Sequence, residues 1–395
     1  MHHVLVEAVV NIIIRVFNDQ MYADKVIEQT LKSNRKWGAR DRAFIAENAY
    51  HIIRYFRLYQ EMLGYFPASK SDFWLLFANH CIVNNIKLPV WQEFKNFDDK
   101  LAEERFQILR KNVAISQSIP DWLHILGQQE LGDKWLPCLE KLNQPAEVVL
   151  RCNTLKSTVS QLQEKLQKEG IETLLIGHDA LQLIKRKNIF SSKSFQEGLF
   201  EIQDFSSQQV SSFMDVESGM RVIDACAGAG GKSLHLAALM QNKGTIIALD
   251  TEQWKLEELK KRAKRAGISI IESRWIDTNK VVKRLKESAD FVLLDVPCSG
   301  LGVLRRNPDA KWKLSLEQIE KTKILQKSIL QNYSTMVKKY GFLVYATCSI
   351  LPGENNQQVE YFLSQNSDFQ LVKDNIIMPQ VSGYDGFYMA KMQRL

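Results

Sequence analysis

The chain has 395 residues and a formal net charge of +7, with 45% hydrophobic and 25% charged residues. This length exceeds what one hydrophobic core usually organises and predicts two or three domains, and the composition excludes a disordered or fibrous chain. The mild basic excess is compatible with a polyanionic partner but does not require one. The six cysteines form no Cys-x-x-Cys pair and no cluster with histidine. They predict a reduced, cytoplasmic protein without a structural metal site.

Residues 1 to 142 are predicted to be helical. Apolar residues recur at three- and four-residue spacing in 4–17, 22–31 and 41–64, and Asp41 is placed to cap a helix. The first of these stretches is interrupted by polar residues and is followed by no small-residue cleavage site, so it predicts a core helix rather than a signal peptide. No apolar run reaches the roughly 20 residues of a membrane helix, so no membrane association is expected.

Residues 143 to 205 are predicted to form a small α/β segment. Prolines mark the exit from the helical region, and 147–153 has the apolar character of a strand. The amphipathic stretch 157–170 predicts a helix that ends at a glycine, and two short strands are expected within 171–184. Arg151 and Asn153 either contact phosphate or base, or are polar residues of a strand edge.

A glycine-rich turn follows the predicted strand at Arg221–Ala225 and precedes a helix that starts at Ser233. Such a corner in an open α/β sheet binds nucleotide cofactors, because glycines allow close approach and helix-start amides are free. A P-loop would need glycine where Cys226 stands. The spacing of the glycines also departs from the Gly-x-Gly-x-x-Gly of dinucleotide folds. The remaining interpretation is a site for S-adenosylmethionine.

Acidic residues at the ends of the next two predicted strands support that interpretation. Asp250 closes the strand 243–250 and is placed to bind the ribose hydroxyls, and Asp277 follows the strand 268–275 and is placed to accept from the adenine amine. Strand and helix then alternate to residue 349, which predicts a parallel, doubly wound sheet. The helix around 325–336 is expected to end near Lys338, Lys339 and Gly341. Ser206 or Ser207 is expected to cap a helix that closes over the cofactor.

Two further apolar strands end in cysteine motifs. The run 290–299 ends in Asp295-Val-Pro-Cys298-Ser, and the run 340–349 ends in Thr347-Cys348-Ser. Ligands of open α/β sheets bind at the carboxyl ends of the strands. Both thiols and the aspartate are therefore predicted to face one crevice beside the methyl-donor site.

This combination resembles the Sun/Fmu–Nop2 family of RNA cytosine-C5 methyltransferases, which carries Asp-x-Pro-Cys and Thr-Cys-Ser motifs in these places. The resemblance continues through 302–312, 351–355 and 385–391, and is most similar to the bacterial branch that modifies small-subunit ribosomal RNA. It is strong over the C-terminal half and weak before it. The chain departs from the family pattern in having alanine at 229 for proline, valine at 296 for alanine and asparagine at 307 for histidine.

The resemblance implies a separate catalytic role for each of four residues. Cys348 is implied to be the nucleophile that adds to C6 of cytosine, and Cys298 to assist release of the product. Asp295 is implied to hydrogen-bond N3 and the exocyclic amine. Lys232 would stabilise charge on the ring or lower the pKa of a neighbouring thiol, with a surface role as the alternative. The base must be single-stranded or flipped to be reached.

The resemblance also implies the domain plan. Residues 1–142 are similar to the NusB-like RNA-binding domain fused to these enzymes, 143–205 to their RNA-recognition segment, and 206–395 to their Rossmann-like methyltransferase domain. For the helical domain, RNA binding competes with a bundle whose arginines only solvate its surface. The predicted cofactor-binding residues are Asp224, Cys226, Ala227, Gly228, Gly230, Gly231, Lys232, Asp250, Asp277 and Asp295.

Two basic stretches are further candidates for RNA contact. Lysines and arginines recur along 255–265, a pattern that more often marks a solvated helix face. The second stretch is a basic and aromatic cluster whose side chains suit phosphate contact and base stacking. A plain loop of mixed character is the alternative interpretation. This cluster comprises Arg305, Arg306, Lys311 and Trp312.

The function expected is methyl transfer from S-adenosylmethionine to C5 of a cytosine in RNA, with 16S ribosomal RNA as substrate and a monomeric enzyme. Transfer RNA is an alternative substrate with the same chemistry. An exocyclic-amine methyltransferase is disfavoured, because it would need an Asn/Asp-Pro-Pro-aromatic strand end. A non-catalytic ribosome-assembly factor that binds RNA is the third alternative, although it would not need the two cysteines, Asp295 and Lys232.

Overall fold

The computed structural model describes residues 1–278 and 280–395. Within them the chain forms two compact units. The first contains 1–144 together with 304–316, and the second contains 145–303 and 317–395. Each unit has its own apolar core, as expected for a chain of this length.

The first unit is helical, as predicted. Its first helix presents apolar residues on most of its surface and lies in the centre of the unit, with Val6, Val9 and Ile12 fully buried. The predicted helix at 41–64 is two helices that meet at Tyr55. Asp41 caps from the third position of its helix, where it accepts from the backbone N–H of Gly38. The helices are α1 His3–Phe17, α2 Ala23–Ser33, α3 Ala39–Arg54, α4 Phe56–Leu63, α5 Lys70–Val83, α6 Asp99–Leu109, α7 Val113–Ser116, α8 Asp121–Leu131 and α9 Trp135–Leu142.

The basic and aromatic segment 304–316 belongs to this helical unit. Lys311 is almost fully buried, its Nζ lies 3.3 Å from Oδ1 of Asn143, and burial holds its pKa well below the usual value. Arg305 is also buried, and the indole N–H of Trp312 donates to the carbonyl of Ile53 at 2.8 Å. The expectation that this cluster contacts RNA is wrong for Lys311 and Arg305, because packing within the unit removes both from solvent.

The second unit begins with a small antiparallel sheet of order β2-β3-β1-β4. The helix predicted over 157–170 ends at Lys168, two residues before Gly170, where it was predicted to end. The elements are β1 Val149–Cys152, α10 Val159–Lys168, β2 Thr173–Leu175, β3 Ala180–Leu183, α11 Lys193–Gln196 and β4 Phe200–Ile202.

The larger sheet of this unit has seven strands in the order β10-β11-β9-β8-β5-β6-β7. The predicted parallel part, β9-β8-β5-β6-β7, is confirmed. Two C-terminal strands, which the sequence did not reveal, extend it antiparallel beside β9. The central strands are continuous apolar runs because both faces of the sheet are covered. The strands are β5 Arg221–Asp224, β6 Thr245–Asp250, β7 Ile271–Trp275, β8 Ala289–Asp295, β9 Val337–Thr347, β10 Phe369–Ile377 and β11 Phe387–Arg394.

Two local predictions about the remaining helices are wrong. The helix at 205 is capped by Asp204, whose carboxylate accepts from the N–H of Ser206, rather than by a serine. Lys338 and Lys339 lie inside β9 and not at a helix end, because the chain already pairs with β8 from Val337 onward. The helices are α12 Phe205–Phe213, α13 Gly231–Leu239, α14 Gln253–Ala266, α15 Lys280–Arg284, α16 Ala310–Lys313, α17 Leu316–Tyr333, α18 Asn356–Gln365 and α19 Pro379–Ser382.

No helix in the described part of the chain is both long enough and apolar enough to cross a bilayer.

Candidate active site

Four polar residues end neighbouring parallel strands of the large sheet. Asp224, Asp250, Asp295 and Thr347 are the last residues of β5, β6, β8 and β9. These strands are adjacent in the order β9-β8-β5-β6. Because parallel strands place their carboxyl ends at one edge, the four residues line the crevice where such sheets bind ligands.

The glycine turn after β5 is tied to the end of β6. The N–H of Gly228 donates to Oδ2 of Asp250 at 2.8 Å, and the N–H of Glu252 donates to Oδ1 at the same distance. Both hydrogen bonds fix the orientation of the carboxylate and leave further lone pairs on each oxygen for ligand hydroxyls. Gly230 has φ +85°, and a Cβ there would lie 2.6 Å from Cγ of Leu259. This position therefore requires glycine.

Two arginines, one buried and one partly buried, hold the carbonyl groups of this turn. Arg262 of α14 donates to the carbonyl of Ala229 at 2.7 Å, and Arg151 of β1 donates to the carbonyl of Gly231 at 2.7 Å. Glu201 of β4 orients Arg262 through a 2.9 Å ion pair. The small sheet thus reaches the cofactor turn, a connection that the sequence analysis missed.

These contacts change the interpretation of three residues. Arg151 and Asn153 are both buried, so they do not offer their side chains to RNA. The amide of Asn153 donates to the carbonyl groups of Gly198 and Ala266 at 2.9 Å each. In the basic run of α14, Arg265 also turns inward to pair with Glu201, and the exposed Lys260 and Lys261 pair with glutamates of their own helix.

Asp224 is a buried carboxylate with one free oxygen. Its Oδ2 accepts from the hydroxyl of Ser233 at 2.6 Å, whereas its Oδ1 has no hydrogen-bond partner among the described residues. Burial raises the pKa of Asp224 to about 6, despite the opposing effect of the Ser233 hydrogen bond. A Cβ added at Gly228 or Gly231 would meet no atom within 4 Å. A carboxylate oxygen without a hydrogen-bond partner, at the start of a turn in which two glycines leave open space, fits the cationic methionine part of S-adenosylmethionine.

Lys232 and Asp295 form an ion pair between the turn and β8. The Nζ of Lys232 donates to Oδ2 of Asp295 at 2.6 Å. Burial alone would lower the pKa of Lys232, but the charge and hydrogen bond of Asp295 outweigh it and raise that pKa. The lysine is therefore a permanent cation at neutral pH, and a surface role for it is excluded because its side chain is 10% exposed.

The two motif cysteines meet at the ends of β8 and β9. Their Sγ atoms are 3.3 Å apart, and both side chains are partly exposed. The hydrogen bond with Cys348, burial and the charge of Cys348 raise the pKa of Cys298 well above the usual value. The side chain of Cys298 is therefore held in its thiol form. Negative charge on Cys348 is also one of the influences that raise the pKa of Lys232, so the cation and the sulfur interact.

Three predicted cofactor-binding residues remain, namely Cys226, Ala227 and Asp277. Ala227 is buried and its N–H donates to the carbonyl of Leu249 at 2.9 Å, which extends the pairing of the turn with β6. Cys226 is partly exposed, and burial raises its pKa well above the usual value. Asp277 is exposed, and its described hydrogen bond, to the hydroxyl of Thr278, does not join it to the other predicted residues.

Glu354 is a site residue that motif spacing alone did not identify. It lies in a short 3-10 turn six residues after Cys348, is fully buried and accepts hydrogen bonds from Ser299 and Ser349. Its only sequence signal was membership of the stretch 351–355. Among residues 1–278 and 280–395, no cluster of histidine, cysteine, aspartate and glutamate is arranged to hold a metal ion.

Comparison with known families agrees with this geometry. Residues 212–393 match the family described as 16S rRNA methyltransferase RsmB/F, and residues 119–189 match the ferredoxin-like domain of the same family. A probable ribosomal RNA small subunit methyltransferase B of Bacillus subtilis is 34% identical over 309 residues, which cover 72% of this chain and 68% of that protein. Ribosomal RNA small subunit methyltransferase B of Pasteurella multocida is 33% identical over 298 residues, covering 70% and 65%.

Solved structures show the same architecture. The crystal structure of PH0851 superposes with a TM-score of 0.84 at 25% identity and covers 98% of both chains. A methyltransferase homolog protein from Pyrococcus horikoshii has a TM-score of 0.64 at 26% identity, covering 73% of this chain and 99% of that one. The expected Rossmann-like sheet with a helical N-terminal region is confirmed.

Proposed function

Because this chain belongs to the RsmB/F family of S-adenosylmethionine-dependent 16S rRNA methyltransferases, we propose that it methylates C5 of a cytosine in 16S ribosomal RNA through a covalent adduct with Cys348. One observation carries the proposal. The thiols of Cys298 and Cys348 lie 3.3 Å apart at the carboxyl ends of neighbouring parallel strands. The Lys232–Asp295 ion pair stands beside the cofactor turn of the same sheet.

The reaction requires a nucleophile because C5 of cytosine does not attack a methyl donor readily. Addition of the Cys348 sulfur to C6 breaks the S–H bond, forms an S–C6 bond and leaves the proton on N3, so that C5 becomes an enamine carbon. This covalent step divides one difficult reaction into easier ones. Asp224, Asp250 and the glycine turn would hold S-adenosylmethionine, which would supply an electrophilic methyl group on its sulfonium.

The ion pair of Lys232 and Asp295 is suited to stabilise the ring during addition. The Asp295 side chain remains 29% exposed, so its carboxylate can still accept from the exocyclic amine of cytosine and share the proton that arrives on N3. The Lys232 cation, 2.6 Å away, pairs with the Asp295 carboxylate and offsets the negative charge of the attacking sulfur.

Release of the product requires a base for the C5 proton, and we assign this role to Cys298. In the free protein the hydrogen bond and charge of Cys348 are among the causes that keep the pKa of Cys298 high. Formation of the S–C6 bond removes both influences, so Cys298 becomes easier to deprotonate when a base is needed. Cys298, whose side chain is partly exposed, first releases its own proton to solvent. Its thiolate then accepts the C5 proton, which forms the C5–C6 double bond, while the electron pair of the S–C6 bond returns to the Cys348 sulfur and the proton on N3 is transferred to that sulfur.

We propose that the domain plan follows the family pattern, with residues 1–142 contributing RNA contacts. Exposed cations at Arg35, Lys36 and Arg40 support such a surface. Other arginines of this region are used internally. Arg42 donates to the carbonyl groups of Trp37 and Leu31, for example.

The test is methylation by the purified protein followed by mass spectrometry of the nucleosides. The RNA substrates are naked 16S RNA, small ribosomal subunits from a strain without this gene, and transfer RNA. We expect 5-methylcytidine in a ribosomal substrate. Its appearance only in transfer RNA would keep the chemistry and change the substrate. A methyl group elsewhere on the base would overturn the proposal, and RNA binding without methylation would favour the assembly-factor alternative.

A further inference from the structure

A single buried carboxylate joins the two cysteine loops. Glu354 has no solvent-exposed surface, and its Oε2 accepts from the hydroxyls of Ser299 and Ser349 at 2.5 Å each. Its Oε1 accepts from the N–H of Ser299 at 2.8 Å and from the amide of Gln326 at 3.2 Å. Four donors therefore converge on one side chain, two of them from the residue that follows Cys298.

Two of the residues that donate to Glu354 are sequence neighbours of the two cysteines. Ser299 directly follows Cys298 and Ser349 directly follows Cys348. The amide of Gln326 that binds Glu354 also donates to the carbonyl of Pro297 at 2.9 Å, so the residue before Cys298 is held as well. The carboxylate is thus bonded to both loops next to each thiol.

Burying the carboxylate of Glu354 costs free energy, which suggests that the residue does more than fill space. The four donors to the Glu354 carboxylate are all uncharged groups, and a buried carboxylate without a counter-ion is destabilising unless hydrogen bonds replace its hydration. Here four hydrogen bonds replace it. An apolar side chain would fill this space without that penalty, but it would not bond the two loops to each other.

The charge of Glu354 also affects Cys298 in the free protein. It is one of the influences that raise the pKa of Cys298, after the hydrogen bond to Cys348, burial and the charge of Cys348. Glu354 therefore favours the thiol form of Cys298 in the free protein, and so the sharing of a hydrogen between the two sulfur atoms at 3.3 Å.

We propose that Glu354 is the positioning residue that holds the thiols of Cys298 and Cys348 within reach of each other. It sets the distance between the nucleophile and the base for product release. This inference rests on the two-cysteine mechanism for its consequence in catalysis, but the spacing itself does not depend on RNA. Loss of Glu354 is expected to leave addition by Cys348 possible while separating Cys298 from the adduct.

The first experiment measures the spacing without substrate. Phenylarsine oxide binds two thiols at once when they lie close together, and mass spectrometry of the protein locates the bridged pair. We expect it to bridge Cys298 and Cys348 in the wild type and in Glu360→Gln, a variant of an exposed glutamate on α18. Glu354→Ala should bind it at least about tenfold more weakly, because a misplacement of about 1 Å is enough to disrupt such geometry. Glu354→Gln should retain part of the binding.

The second experiment measures release. In Glu354→Ala the protein–RNA adduct formed in the presence of the methyl donor should break down about tenfold more slowly than in the wild type. Glu354→Gln should restore part of that rate. Affinity for S-adenosylmethionine, measured by calorimetry, should be unchanged in both variants.

Three results would overturn the inference. These are wild-type arsenical binding in Glu354→Ala, wild-type release in that variant, and loss of arsenical and cofactor binding together in both variants, which would mean a general structural role. If Glu354→Ala does not fold, Glu354→Gln decides by the same criteria. If the wild type bridges the arsenical and the variants do not, but no protein methylates RNA, then the proposed function fails while the positioning role stands.

Discussion

The Nζ atom of Lys232 lies 2.6 Å from Oδ2 of Asp295, so the helix that starts at the cofactor turn is joined directly to the strand that leads to Cys298. Neither residue is an ordinary surface ion, because the lysine side chain is 10% exposed and the aspartate 29% exposed. In the proposed mechanism, the pair couples the methyl-donor side of the crevice to the side where the base is attacked.

Replacing Lys232 with methionine should reduce single-turnover methylation about 100-fold, because the developing charge on the ring loses its nearby cation in a partly desolvated site. The measurement is a rapid-quench assay with excess enzyme. Lys260→Met, which removes an exposed cation of α14, should have wild-type rates. Equal rates for Lys232→Met and the wild type would show that the cation does not act in the chemical step.

Cys348→Ala should abolish methylation and adduct formation, because no other described thiol lies at the end of β9. Binding of S-adenosylmethionine, measured by calorimetry, should be unchanged, since the cofactor turn follows β5. Turnover that persists in this variant would exclude covalent catalysis by Cys348.

Cys298→Ala should accumulate a protein–RNA adduct that survives denaturation. The sulfur of Cys348 can still add to C6, but the variant lacks the Cys298 sulfur, 3.3 Å away in the wild type, that accepts the C5 proton as a thiolate. Denaturing gel electrophoresis with labelled RNA detects the adduct. Normal turnover without a retarded band would assign release to another group.

Much of the site follows from short-range sequence patterns. Apolar runs that end in aspartate or cysteine placed Asp224, Asp250, Asp295, Cys298 and Cys348 at strand ends, and the parallel order of the sheet brings these ends together. The position of each of these residues is determined by the strand that precedes it, so the local sequence is enough to predict it.

Contacts between distant segments could not be predicted in the same way. Arg151 and Arg262 are polar residues in a strand and in a basic helix face, and only the folded chain shows that both hold carbonyl groups of the glycine turn. The same applies to Lys311, a charged residue that the fold buries. Side-chain charge predicts exposure on average, but tertiary packing reverses it at single positions.

Arg262→Gln should weaken binding of S-adenosylmethionine at least about tenfold with little change in the maximal rate. The variant loses the 2.7 Å hydrogen bond to the carbonyl of Ala229 and leaves Glu201 with one fewer cation, and a charged hydrogen bond contributes about 1.5–3 kcal/mol. Calorimetry and steady-state kinetics separate the two effects. Lys261→Gln, at the adjacent exposed position, is the matched control. A lower maximal rate with unchanged affinity would place Arg262 outside the cofactor site.

The affinity for S-adenosylmethionine should fall in acid because of Asp224. Burial raises the pKa of this carboxyl to about 6 in the free protein, whereas an exposed aspartate ionises near 3.8. The cofactor carries positive charge and binds the ionised form, so protons compete with it below pH 6 while the ionised state is fully available above pH 7. At pH 5 the dissociation constant should be about tenfold larger than at pH 8, the ratio expected for a group titrating near 6.

Two results decide this prediction. Asp224→Asn has no ionisable group at this position, so its affinity should be lower at pH 8 and nearly independent of pH between 5 and 8. The carboxylate of Asp224 accepts a hydrogen bond from the hydroxyl of Ser233 at 2.6 Å. The side-chain oxygen of asparagine can accept the same hydrogen bond, so the variant should keep its fold. Calorimetry across this pH range makes the comparison, and circular dichroism confirms that both proteins remain folded at pH 5. A wild-type affinity that does not weaken between pH 8 and pH 5 would mean that the cofactor charge is balanced elsewhere.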